Sequence, residues 1–218
     1  MDYEGKLNAE GALTGSVDNP RLALSLLVSG FKSEKNKVEA KVLDLDGNTG
    51  FDISNLKLTV NGVAKGIRIQ DRSFQSIRLY ANGQSGVVDG KLEVIETYNR
   101  DYKANFLLTD FEDGHPALKL DNVALNVQNT VLKNREPVIL EFLQDKVTVS
   151  SLNLYHKDNF LVGDLELGSG NEIQADMTLE KLSLPDISDI LNVSFPLKGT
   201  VSGNLKIGRT LDRPDINA

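Results

Sequence analysis

The sequence predicts an all-β protein, a long, curled and mainly antiparallel sheet, and three observations predict it. Wherever the sequence is orderly, apolar residues recur at every second position, the spacing that puts them on one face of a sheet. Residues that favour turns separate these runs. At several places the apolar phase slips by one, which a β-bulge absorbs, and bulges curl a sheet.

The runs follow one another along the whole chain. Leu22, Leu24, Leu26 and Val28 alternate with other residues, as do Val38, Ala40 and Val42, then Leu56, Leu58 and Val60. The pattern continues in Ile67/Ile69, Ile77/Leu79, Gly90/Leu92/Val94, Tyr102/Ala104/Phe106/Leu108 and Val123/Leu125/Val127. It ends with Leu161/Gly163/Leu165/Leu167, Ile173/Ala175/Met177/Leu179 and Val201/Gly203/Leu205/Ile207. Asp46-Gly47-Asn48, Asn61-Gly62, Asn82-Gly83, Asp113-Gly114 and Gly168-Ser169-Gly170 have the residues of tight hairpin turns and are expected to join consecutive antiparallel strands. Phase slips fall at Val42-Leu43, Ser151-Leu152 and Leu182. One short helix is expected over 185–193, where a proline and early acidic residues precede apolar residues at helical spacing.

An alternating strand needs its apolar face covered, by a second sheet or by the same sheet folded over. Tryptophan is absent and aromatics are 6% of residues, so the large rings that fill a sandwich core are scarce. The apolar faces repeat Leu, Val, Ile, Ala and Gly. Both an open trough with an aliphatic lining and a thin aliphatic sandwich fit that composition.

The 218 residues are enough for one large β domain and a sizeable core. A net charge of −7 repels phosphate backbones and anionic headgroups, so no nucleic-acid partner is expected. No cysteine is present, which excludes disulfides, thiol catalysis and thiolate metal sites. No apolar stretch reaches the length of a membrane span, and Asp2 to Lys6 does not resemble a signal peptide. The chain opens in mid-strand pattern, and any anchor or export signal is expected to lie outside it.

The start and end of the chain match without gaps at an offset of 194 residues, with Gly5-Lys6-Leu7 over Gly199-Thr200-Val201 and Leu13 over Ile207. The match runs on through Ser16 to Leu22 over Thr210 to Ile216. Residues 1–218 are therefore read as a single elongated segment of a longer repeat protein, with repeat boundary elements at 5–22 and 199–216. The segment from Leu197 through Gly199, Gly203, Gly208, Thr210 and Pro214 to Ile216 resembles the recurring boundary element of the TamB/AsmA-like family. The resemblance extends back through Pro137-Val138-Ile139-Leu140, the strands through Val149 and Leu154, the strand around Gly163, the strand from Ile173 to Leu179 and the short helix, and is looser over 11–70. It implies a periplasmic segment of a protein anchored in the inner membrane elsewhere, whose sheet curls into a hydrophobic groove, a β-taco. It also implies lipid transport between inner and outer membranes, and an outer-membrane partner of the barrel-assembly type reached through the parent protein.

Catalytic chemistry finds little support. His115 lies in the turn sequence Asp113-Gly114-His115-Pro116, His156 lies in no metal or nucleophile motif, and no hydrolase or phosphate-loop pattern occurs. Asp44-Leu45-Asp46-Gly47-Asn48 lacks the later ligands of a calcium loop and reads as a hairpin turn. Asn192-Val193-Ser194 matches a glycosylation sequon by chance. No catalytic residue, metal or cofactor is expected, and the chain is expected not to be an enzyme.

The expected function is a hydrophobic groove for phospholipid acyl chains, lined by Leu56, Leu58, Leu92, Val94, Phe106, Leu165, Leu167, Met177, Leu179, Val201 and Leu205. The alternative is a scaffold that receives strands of outer-membrane β-barrel proteins by β-augmentation. Self-association is expected through exposed strand edges near Leu7, Leu13, Val201, Leu205 and Ile207.

Overall fold

The computed structural model describes residues 3–16, 19–52, 55–70, 72–110, 115–128, 130–169, 172–185, 198–210 and 213–217. They form fifteen strands. The first seven are β1 (Tyr3–Ser16), β2 (Asn19–Ser33), β3 (Val38–Asp52), β4 (Asn55–Ile69), β5 (Arg72–Gln84), β6 (Val87–Thr97) and β7 (Arg100–Thr109). The rest are β8 (Ala117–Val127), β9 (Thr130–Asn134), β10 (Val138–Phe142), β11 (Lys146–His156), β12 (Asn159–Gly168), β13 (Ile173–Ser183), β14 (Thr200–Thr210) and β15 (Arg213–Asn217). Fourteen strands follow one another in hydrogen-bonded order, and the fifteenth, β9, pairs with β8 and β11 beside that path. The expected all-β antiparallel sheet is what the chain forms. The helix expected over 185–193 falls, apart from Pro185, outside the described residues.

Several expected turns are strand interiors. Asp46-Gly47-Asn48 lies within β3, Asn61-Gly62 within β4 and Asn82-Gly83 within β5, paired across to their neighbours. The reason is phase. Each glycine falls in step with the apolar positions and each Asp or Asn in step with the polar ones, so pairing on both sides holds them extended. The reversals fall instead at Glu34 to Lys37, Ser85-Gly86, Tyr98-Asn99 and Lys157-Asp158. Lys37, Ser85 and Lys157 take φ of 51°, 53° and 55° there. Asp113-Gly114 and Gly170 lie outside the described residues.

Contacts divide the chain into two units, Met1–Lys103 and Ala104–Ala218. In the first, strand registers align the apolar positions into rows that cross six strands. One row is Leu7, Val28, Leu43, Ala64, Ile77 and Val94, and the next is Ala9, Leu26, Leu45, Gly62, Leu79 and Leu92. The next apolar row of β2 to β5, Phe31, Ala40, Ile67 and Phe74, lies three residues beyond the first in each strand, not two. The step at Val42-Leu43 seen in the sequence is this shift. All four strands take it together, so pairing on either side stays in register. Gly30 and Gly66 stand inside it with φ of 63° and 58°, a conformation that costs glycine nothing. Ala40 and Ile67, directly paired beyond the step, are buried.

The second unit has its own rows. Leu140, Val149, Leu165, Ala175 and Ile207 form one; Leu152, Gly163, Met177 and Leu205 form another. Here the phase slips are register shifts, between Val149 and Leu152 and between Leu179 and Leu182. Ser151 and Lys181 take positive φ inside them. Strands β9 and β10 act as one interrupted strand between β8 and β11, broken at Arg135 to Pro137. Two asparagines fill the break. Buried Asn153 accepts from the N–H groups of Arg135 and Glu136 at 2.8 and 3.0 Å and donates to the Glu136 and Ser151 carbonyls. Asn134 accepts from the Val123 N–H at 2.7 Å and donates to the Glu136 carbonyl at 2.9 Å. Among the described residues, Val127, Leu132, Val138, Leu154, Ala175 and Leu182 are the buried apolar side chains of this unit.

Candidate apolar binding face

In the first unit several leucines of the apolar rows are exposed, while Ala40 and Ile67 in the row beyond the step are buried. Leu24, Leu45, Leu58, Leu79 and Leu92 are between 36% and 40% exposed, and Leu7 and Leu13 in the outermost strand reach 63% and 72%. The registers place all seven in step on one face. Leu13 pairs with Leu22, which pairs with Thr49, Leu58 and Gly83 in turn. A patch of this extent on one sheet face is more than scattered surface leucines, and such patches mark sites of interaction.

Glycines keep the face low between the leucines. A methyl group at Gly62 would stand 3.3 Å from Leu45 Cδ1 and 3.8 Å from Leu79 Cβ, so leucines of both neighbouring strands close over it. Gly83 sits likewise between Leu58 and Val88. Five interstrand steps of about 4.8 Å make each row about 24 Å long.

The opposite side of the same strands is polar and paired across strands. Thr59 Oγ1 donates to Asn82 Oδ1 at 2.9 Å, and Glu93 binds Arg78 at 2.7 Å and Lys103 at 3.1 Å. Exposed pairs of this kind contribute little stability, from about zero to 1 kcal/mol each.

Beyond Val94 the first unit holds a buried charge. The Glu96 carboxylate is 8% exposed, accepts from Arg72 at 2.7 Å and from the Tyr102 hydroxyl at 2.7 Å, and has Arg100 at 3.9 Å. Burial pushes its pKa up, but the hydrogen bonds from Arg72 and Tyr102 and the two guanidinium charges together hold it below the ordinary carboxylate value. The hydrogen bond to Glu96 raises the Arg72 pKa, and burial followed by the Glu96 bond raises that of Tyr102. The Arg72 guanidinium also stands 5.6 Å from the Phe74 ring. Every charge in the cluster has a partner, so it reads as a structural clamp between β5, β6 and β7.

The residues expected to line a groove divide between the units. Leu58, Leu92 and Val94 share the exposed face of the first unit, and Val94 is half-buried there. Leu56 pairs with Phe51, but its side chain is outside the described residues. In the second unit Leu165, Leu167, Met177, Leu179 and Leu205 occupy neighbouring row positions, all half-buried, and Val201 rejoins them opposite Leu182 after the register shift. Phe106, in β7, is half-buried too. None of the described ones is buried. Leu24, Leu45 and Leu79 belong to the exposed face and were not singled out by the sequence, although Leu24 and Leu79 lie in its alternating runs. Leu45 was hidden by the turn-like residues around it.

His156 Nδ1 lies 3.0 Å from the Val131 carbonyl oxygen and 3.3 Å from its amide nitrogen, which ties it to β9, and His115 is exposed. Among the described residues no group of three or more His, Cys, Asp or Glu side chains stands together as a metal site, and no helix is long and apolar enough to cross a membrane. Comparison of the chain with family models, curated proteins and solved structures finds no match.

Proposed function

We propose that the chain offers its apolar sheet face to phospholipid acyl chains, as a groove-forming module of a TamB/AsmA-like protein in the bacterial periplasm. The observation that carries this reading is the set of exposed leucines on one face of the first unit, Leu24, Leu45, Leu58, Leu79 and Leu92. Rows of about 24 Å exceed the roughly 15 Å that an acyl chain spans in one leaflet of a bilayer. Each methylene laid on the face contributes up to about 0.8 kcal/mol without a specific polar contact. The chain's net charge of −7 disfavours recognition through an anionic headgroup, so the acyl chain is the part that binds.

The test is native mass spectrometry of the purified chain after incubation with phospholipid vesicles, beside the variant Leu79→Arg. Phospholipid should co-purify with the parent chain and be lost from the variant, while the melting temperature changes by a few degrees at most. Loss of the folded state in Leu79→Arg, or lipid retained in full, overturns the reading. A scaffold for barrel strands would use a sheet edge instead, and its signature is an unfolded barrel peptide held without lipid.

A further inference from the structure

We propose that the phosphate of a bound phospholipid is held at Arg72, where the apolar face of the first unit meets the ends of its strands, and that the acyl chains run from there along β5. The inference rests on the acyl-chain reading and gives the lipid a direction. Beyond the row of Phe31, Ala40, Ile67 and Phe74, the registers set Ser33, Val38, Ile69 and Arg72 side by side. Arg72 is therefore in phase with the apolar residues, and its guanidinium stands 5.6 Å from the Phe74 ring. Its Nε and Nη2 donate to Glu96 at 3.4 and 2.7 Å, and Nη2 also reaches the Tyr102 hydroxyl at 3.5 Å. Nη1 has no partner among the described residues, and the side chain is 38% exposed. Glu96 thus holds the guanidinium in place with two N–H groups to spare, the kind of donor that phosphate oxygens accept from.

The charge around Arg72 favours the same ligand. The net charge of −7 is not spread evenly. Met1–Lys103 holds fourteen Lys or Arg and fourteen Asp or Glu, so the first unit is neutral and the second carries all of it. Within the first unit Lys35, Lys37, Lys41, Lys65 and Arg68 are exposed and have no ion-pair partner among the described residues. They lie in the turn before β3 or in the parts of β3 and β4 that lead to the Arg72 row, and the Gln70 N–H donates to the Lys37 carbonyl at 2.8 Å, tying that turn to the reversal before Arg72. Such a local excess of cations attracts a phosphate at short range. From Phe74 to Leu79 is five residues, about 17 Å of strand, close to the roughly 15 Å that an acyl chain spans in one leaflet. A lipid with its phosphate at Arg72 lays its chains over Phe74 and Ile77 and ends on the exposed leucines.

Calorimetric titration of the full chain with dioctanoyl phosphatidylglycerol, and with dioctanoylglycerol, which has the same acyl chains and no phosphate, tests the proposal. At low salt the phospholipid should bind about tenfold more tightly, and high salt should narrow the gap. Arg72→Gln should close most of it. Because that substitution also takes a partner from Glu96, the second variant is Lys35→Glu with Lys37→Glu in the exposed turn, which should narrow the gap about threefold without lowering the melting temperature. Inorganic phosphate alone should bind far more weakly than the phospholipid. Equal affinity for the two lipids overturns this inference and leaves the acyl-chain reading in place, whereas binding of neither overturns both. A gap that neither variant narrows, or inorganic phosphate bound as tightly as the phospholipid, also overturns it.

Discussion

Gly15 and Arg209 stand 194 residues apart and take nearly the same left-handed backbone, with φ of 94° and 81°. Each faces a proline across a hairpin, Gly15 opposite Pro20 and Arg209 opposite Pro214. The flanking pairs agree as well, Leu13 with Leu22 and Ile207 with Ile216, so the sequence match between the chain's two ends is also a match of hairpin register. Arginine occupies a conformation that suits glycine. Arg209→Gly should therefore stabilise its hairpin by about 0.5–1 kcal/mol, because its exposed contact with Asp215 at 3.9 Å is worth little. Gly15→Arg should destabilise the equivalent hairpin by a similar amount. Urea midpoints of the two variants check the pair, and shifts of the same sign would refute the equivalence.

Gly163 is held against the neighbouring strand. A methyl group there would press on the Asp176 carbonyl oxygen and lie 2.8 Å from the Met177 Cα, both backbone atoms of β13 that cannot swing aside. Gly163→Ala should cost about 1–3 kcal/mol and loosen the β12–β13 pairing. Gly208→Ala, where nothing lies within 4 Å of the added methyl, is the matched control. Hydrogen exchange of β12 and β13 amides reads the difference.

Acid should weaken the first unit through Glu96. Its carboxyl is held below the ordinary value of 4.5, so its contribution is whole above the unfolded-state pKa and is lost as pH falls through the lower folded-state value. The melting temperature should drop below about pH 4.5. Glu96→Gln should lower stability at pH 7 by about 1–3 kcal/mol and flatten that acid slope. A variant with the parent's full slope would assign the acid sensitivity to other carboxylates.

The alternation of Leu22, Leu24, Leu26 and Val28 was legible because a sheet face has a period that one strand alone displays. The slips at Ser151-Leu152 and Leu182 were legible for the same reason, and both are register shifts. Turns were less so. Asn61-Gly62 carries the residues of a hairpin, but its place is fixed by the strands on either side, and no local signal reports that. The Glu96 cluster gave no sign at all, since Arg72 lies 24 residues away in sequence and Tyr102 only six, at spacings that specify nothing. Asn134 and Asn153 were equally silent, being ordinary asparagines until the break between β9 and β10 sets them to work.

The coordinated three-residue step at Gly30 and Gly66 bears on how this sequence can drift. Within a row, Leu, Val, Ala and Gly already stand side by side, so side-chain identity is loosely constrained. Spacing is not. Removing a single residue from the interior of β3 would turn over every side chain on one side of the cut, setting Leu43 and Leu45 among the polar residues of both neighbouring strands. Insertions and deletions are therefore tolerable at the turns, or in matched sets across adjoining strands, and the lineage of such a sheet is written in its lengths more durably than in its letters.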